Sequence, residues 1–289
     1  MELEMTLSFE GGAADNHQLD FYDAATAFSA FQRTLALTTH LVLNGEIITQ
    51  APSLRGARIL SRPPEDGSWK AVAYVAGTLV LSGSVASRDS VLGHVFTSIY
   101  DYALSEALGF HVDFEKSLGQ QIEESRQRTD EIPRGLDEGK IQALVEKIEP
   151  AVKDLHRPIA QSKTADLARI GESRRGAIFR HTGPTLDEET FEYINVTTLT
   201  DREIDMLGKV SSYNANTFKG RIYVETEGRP VPFTLADTAR SIRTVGKIVR
   251  SLSSNAVDRF DDEATIKFSA LRFESKNGRL KAFLVTKVY

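Results

Sequence analysis

The sequence contains no cysteine. That excludes a disulfide scaffold, thiolate chemistry and any cysteine-based zinc or iron–sulfur site. It also lacks long apolar runs. Ala71–Ala76 and Leu79–Leu81 are among the longest, well short of the ~20 residues a membrane helix needs. The opening MELEMTLSFEGG has neither the basic nor the apolar region of a secretory signal. No G-x-x-x-x-G-K-S/T phosphate loop is present, and Gly11-Gly12 has no third glycine where a dinucleotide fingerprint requires one. Ser82-Gly83-Ser84 reads as a small-residue turn, not a nucleophile elbow. Internal repeats and low-complexity tracts are missing as well. These absences predict a cytoplasmic protein with no membrane partner and no cofactor, and weigh against a serine hydrolase or a Rossmann dehydrogenase.

What the chain does have is core material and an uneven charge. Of 289 residues, 41% are apolar and 26% charged, a globular composition long enough for two domains. The formal charge of −5 is split. Residues 201–289 hold 16 Lys and Arg against 11 Asp and Glu, while the remainder holds 19 against 29. Such an asymmetry bears on partners, not on fold.

Leu3–Phe9 alternates as a strand. Asp23 is the expected cap of a helix over Ala24–Leu43, with Phe28, Phe31 and Leu35 on its apolar stripe. Ala57–Leu60 and Trp69–Val75 read as strands across the Pro63–Gly67 turn, and Thr78–Val85 as a strand or a buried helical start. Ser90–Leu108 is a second helix, carrying Val95, Phe96 and Ile99. The two helical stripes should share one surface. Lys116–Lys140 is charged and poor in aliphatics, which predicts a solvated connector. Ile141–Ile148 reads as a short helix stopped by Pro150, and Phe191–Val196 as a strand. In the last ninety residues, Lys209–Ser212, Lys219–Thr226 and Val231–Leu235 are strand candidates. A helix over Ala236–Ser251 follows, then a hairpin joining Thr265–Phe273 to Arg279–Val288. Asn277-Gly278 is the strongest hairpin signal in the chain. Three strands, a helix and two strands suit a small, partly open barrel.

The expected fold class is α+β or α/β: a mixed N-terminal body with two long amphipathic helices (1–115), a charged helical connector (116–200), and a basic α+β barrel-like domain (201–289).

Two sets of residues are candidates for function. His94, His111 and Asp113, with His156, could form a hydrolytic site for a phosphate-bearing substrate. The spacing is unspecific, and the simpler reading is a histidine near a helix start beside a polar strand edge. No metal is expected there. Ser162-Lys163-Thr164 near His156-Arg157-Pro158 could bind an anion, although a chain turn at Pro158 explains the same residues.

The stronger set is cationic. On a helix over 236–251, Arg240, Arg243, Lys247 and Arg250 cluster on one side and Ile242, Val245, Ile248, Val249 and Leu252 on the other. Lys219 and Arg221 extend the positive surface, and Tyr213, Phe218 and Tyr223 offer rings for stacking. The plain alternative is an ordinary solvated helix face. The expected function is therefore a binding or assembly protein in preference to an enzyme. Its body mediates self-association as a homo-oligomer or a partner contact, and its C-terminal domain contacts nucleic acid or an acidic protein; the alternative is the hydrolase.

FQRTLALTTHLVLNGEIITQAPS (31–53), GHVFTSIYDYALSEALGFHVDFEKSLGQQ (93–121) and HRPIAQSKTA (156–165) resemble phrases of a bacterial family of uncharacterised proteins. The resemblance covers about half the chain. It implies a bacterial origin, and it carries over no activity and no site residue.

Overall fold

The computed structural model describes residues 2–50, 53–61, 70–77, 91–110, 114, 118–128, 132–133, 135–175, 177–258 and 262–289. Among them, contacts divide the chain into two compact units, Met1–Ile194 and Asn195–Tyr289. Both are α+β. The expected turn at 63–67, the segment 78–85, and His111 and Asp113 lie outside the described residues.

The first unit is built around β1 (Glu2–Glu10), flanked by β2 (Ala57–Ser61), β3 (Lys70–Gly77), β4 (Leu167–Arg174) and β5 (Ala177–His181) in the order β2-β3-β1-β4-β5. Every pairing is antiparallel. The alternation of β1 decides its two faces. Leu3, Met5, Leu7 and Phe9 are buried in the core. On the other side, the Glu4 carboxylate accepts hydrogen bonds from Tyr74 Oη (2.7 Å) and Ser173 Oγ (2.9 Å), and Thr6 Oγ1 donates to Ser173 Oγ (2.7 Å).

Against the apolar face pack α1 (Phe21–Asn44), α2 (Val91–Ala107) and α4 (Glu138–Leu155). α1 begins one turn earlier than expected, because Asp20 is its cap and accepts from the Asp23 N–H (3.0 Å). Its far end closes at Gly45, whose φ of 64° lets its N–H reach the Leu41 carbonyl. Phe31, Leu35, Val95, Phe96 and Ile99 are all buried in one core, with Phe28 packed at its margin.

The expected connector is instead part of this unit. Leu118, Ile122 in α3 (Gln120–Arg128), Ile132 and Leu136 are the few large aliphatics of the stretch, and each is buried. A charged segment needs only a narrow apolar stripe to be recruited. α4 runs through Pro150 rather than stopping at it, because Ala151, Val152 and Leu155 beyond the proline are drawn into the same core. It is followed by the single turn α5 (Arg157–Ala160). Phe191–Val196 is not a strand either. Residues Glu188–Asn195 form α6, started by a reciprocal pair in which the Thr190 N–H donates to the Asp187 carboxylate and the Asp187 N–H to Thr190 Oγ1.

The second unit is a barrel. β7 (Ile204–Asn214), β8 (Lys219–Val224) and β9 (Arg229–Leu235) form a meander. α7 (Ile242–Val257) and the hairpin β10 (Thr265–Glu274)–β11 (Leu280–Val288) follow. β11 runs parallel to β9, and β10 pairs with both β11 and β7, so the sheet closes as β7-β8-β9-β11-β10-β7. The two-residue β6 (Thr198–Leu199) adds to β10. Closure leaves no free edge among the five strands. It encloses Val210, Ile222, Val231, Phe233, Leu235, Phe268, Phe283 and Val285.

To pair with two neighbours, β7 bends at a bulge between Val210 and Ser212. The freed backbone is met from α7. Val210 N–H donates to the buried Ser251 Oγ (3.0 Å), Ser251 Oγ donates to the Ala264 carbonyl, and Asn255 Nδ2 donates to the Val210 carbonyl (3.0 Å). Ser251→Ala strands a buried N–H and a carbonyl. It should lower the barrel's unfolding free energy by about 1–3 kcal/mol in urea titrations followed by circular dichroism. A loss below about 0.5 kcal/mol would mean that those groups find other partners.

α7 starts six residues later than expected. Ser241 caps it, accepting from the Thr244 N–H (3.2 Å), and a short 3-10 turn at Asp237–Ala239 precedes it. The shift overturns the expected aliphatic face. Ile248 is buried and Val245 and Leu252 are half-buried, but Ile242 and Val249 point outward.

Candidate functional site

Alternation along β8 sends Gly220, Ile222 and Val224 inward and Lys219, Arg221 and Tyr223 outward. The register sets Lys219 against Thr234, Arg221 against Pro232 and Tyr223 against Pro230 on β9. On the β7 side the same three face Asn214, Ser212 and Lys209. β11 joins β9 only from Phe233 onward, past both prolines, where a missing N–H would cost a ladder bond. The result is an outward strip with three cations (Lys209, Lys219 and the buried Arg221), a half-exposed phenol and two flat pyrrolidine rings. Lys219 and Tyr223 reach solvent, whereas Arg221 is 8% exposed.

One end of the strip is a built turn. Asn214 Oδ1 accepts from the N–H groups of Asn216 (2.9 Å) and Thr217 (3.3 Å), and Phe218 follows at a φ of 55°. The Arg240 guanidinium stacks over the Phe218 ring at 4.8 Å, its Nε donates to the Leu235 carbonyl (3.2 Å), and it pairs with Asp237 at 2.8 Å. Beneath, Tyr213 stacks on Phe233 with ring centroids 6.2 Å apart. Burial raises the Tyr213 phenol above its usual range, and nearby Arg240 opposes that shift.

The six expected cations therefore do not form one patch. Arg240 precedes α7 and belongs with Lys219 and Arg221 at the β8 strip. Arg243 and Arg250 are exposed on α7, and Lys247 is half-buried with Nζ donating to the Val288 carbonyl (3.3 Å). α7 packs chiefly on β7. Lys209, Pro230 and Pro232 were missed in the sequence because only the strand register places Lys209 and Pro230 opposite Tyr223 and Pro232 opposite Arg221.

The histidine set fares differently. His94 is exposed in the first turn of α2. His156, between α4 and α5, is wholly buried and closed to a substrate. Its Nδ1 donates to the Val152 carbonyl (2.7 Å), and its Nε2 lies 3.1 Å from Thr190 Oγ1, with Phe191 beside the ring. Burial pushes its pKa down to about 4, against weaker upward pulls from the Val152 carbonyl and Asp187. The neutral ring is a piece of the core that ties α4 to α6. Among the described residues, no group of three or more His, Asp or Glu side chains is placed to hold a metal ion.

The possible anion site at 156–164 already has an internal anion. The buried Asp23 accepts from Arg157 Nε (2.9 Å) and the Ser162 N–H (3.1 Å), while Ser162 Oγ meets Thr164 Oγ1 at 3.0 Å and Arg157 stacks over Tyr22. A carboxylate thus fills the place a phosphate would take.

These features define a two-unit α+β protein that ends in a small closed barrel with a cationic, aromatic outer strip. The chain belongs to the family described as Domain of unknown function (DUF7946), whose model matches residues 5–195, and residues 202–289 match the model described as Family of unknown function (DUF7947). The two matches meet where the two units divide. No curated protein and no solved structure matches the chain. Among the described residues, no helix is long and apolar enough to cross a membrane.

Proposed function

We propose that the C-terminal barrel is a binding module for single-stranded nucleic acid, working in the cytoplasm and using the outer strip of β8 and β9. The observation that carries this reading is the convergence of Lys219 and Tyr223 on one exposed strand face, beside Lys209, with the Arg240–Phe218 pair at its end. Three meander strands, a helix and a closing hairpin, with the third and fifth strands parallel, follow the order of OB-type barrels. Such barrels present their second and third strands to ligands. Cations on that face would neutralise backbone phosphates, and the Tyr223 ring would stack on a base without selecting among bases. The hydrolase alternative loses support because His156 is sealed in the core as a neutral ring.

A fluorescein-labelled oligo-dT titrated with the full chain, and with residues 195–289 alone, should bind with an affinity that falls steeply from about 50 to 200 mM salt. Lys219→Gln should flatten the log–log salt slope by about 0.7, and Tyr223→Ala should weaken binding by roughly 1–3 kcal/mol. Arg243→Gln with Arg250→Gln should change little. Absence of salt-dependent binding by chains that circular dichroism shows to be folded would refute the reading.

A further inference from the structure

The outer face of α7 is left unused by the barrel. Ile242 is 94% exposed, Val249 47% and Val257 87%, and Gly246 and Ser253 lie between them on the same side of the helix. Gly246 is not a fold requirement. A Cβ built there would have nothing within 4 Å, and no positive φ is involved. Glycine in a helix interior weakens the helix, so this one is disfavoured locally and unexplained by the fold. Beside the aliphatics stand Arg243 and Arg250, neither paired with a carboxylate among the described residues, and α7 itself contains no Asp or Glu. Arg243 even sits in the first turn, where the positive end of the helix dipole repels it.

We infer that this face is a docking surface for an acidic amphipathic helix of a partner protein. The aliphatic residues are the ridges, the gap over Gly246 admits a side chain of the approaching helix, and partner carboxylates answer Arg243 and Arg250. A second copy of α7 is a poor occupant, because antiparallel pairing would set arginine against arginine. The face has no ring to stack a base and no Trp, Phe or Leu to anchor in a bilayer interface. One helix of this length supports a contact at the small, transient end of the protein–protein range. The inference stands on residues separate from the β8 strip, so it does not depend on the nucleic-acid reading.

The probe is a labelled synthetic helix of about 16 residues, matched to the length of α7. It carries Leu at three- and four-residue spacing, Glu on both flanks and Ala elsewhere; a control peptide has Lys for Glu. Anisotropy titration with the full chain at low salt should saturate in the range of tens of micromolar, with the Lys peptide at least about tenfold weaker. Gly246→Leu should weaken binding at least about tenfold without lowering the melting temperature, since the site is open and leucine is the better helix former. Oligo-dT affinity of that variant should stay unchanged, which separates failure here from failure of the β8 reading. Three outcomes would overturn the inference: no saturation by about 1 mM peptide, binding indifferent to Gly246→Leu and Ile242→Ser, or a face that instead binds phosphatidylglycerol vesicles or oligo-dT through Ile242 or Arg243.

Discussion

Replacing Phe31 with alanine should lower the unfolding free energy of the first unit by about 3–5 kcal/mol. Phe31 is 2% exposed midway along α1 and belongs to the same core as Phe96 and Ile99 of α2. Close by, Thr34 Oγ1 donates to the Phe31 carbonyl (2.9 Å) and meets Tyr100 Oη at 2.8 Å, a buried polar link between the two helices. Burial raises the Tyr100 phenol well above its usual range, so it stays a neutral hydroxyl. These fixed neighbours cannot collapse fully into the space an alanine would leave, and a cavity term adds to the lost transfer free energy. The barrel has a separate core. In a guanidinium titration followed by circular dichroism, the variant should therefore shift the first unit's transition and leave the barrel's in place. A curve that hardly moves would show that the apolar faces of α1 and α2 were wrongly assigned.

The second large effect concerns pH. The folded pKa of His156 is about 4, below the unfolded value of 6.5. Between the two values the unfolded chain binds a proton that the native chain does not, so acid favours unfolding. The contribution is complete above about pH 6.5 and is lost progressively as pH falls to about 4. Each pKa unit corresponds to about 1.4 kcal/mol, so the change over that window is about 3 kcal/mol. Carboxylates titrate in the lower part of the window, so the diagnostic quantity is a difference between proteins. His156→Gln keeps a polar side chain near Thr190 but cannot titrate. It should be less stable than the natural chain at pH 7, and the gap should narrow as pH is lowered to 4.5. A constant gap would mean that His156 titrates normally, and that the ring is more solvated than its surroundings indicate.

Much of the local structure could be read from the residues alone. The alternation of Leu3–Phe9, the stripes of α1 and α2, the Asn277-Gly278 turn and the strand–helix–strand rhythm after residue 200 are each set by neighbours a few positions apart. Local sterics and periodic burial decide such features. The candidate site was legible only in its parts: Lys219, Arg221, Phe218 and Tyr223 could be named, but not their grouping.

The remainder depended on contacts between distant residues. β1 is sandwiched between β3 and β4, so that Thr6 bonds Ser173 across the whole unit, and no short-range pattern announces that pairing. Ile122, Ile132 and Leu136 looked too sparse for a core until the fold supplied the surface they cover. α7 moved six residues because Ser241 caps better than Ala236 and because Ser251 must reach the bulged backbone of β7. That displacement took Arg240 off the helix and divided the cations between two surfaces. His156 has the same chemistry in any sequence; its burial against Val152 and Thr190 made it a neutral core residue. The sequence by itself determined which segments could be strands, helices and turns, because those preferences are local. Strand partners, helix register and the protonation of a buried ring were decided by the tertiary structure, because each depends on groups that only folding brings together.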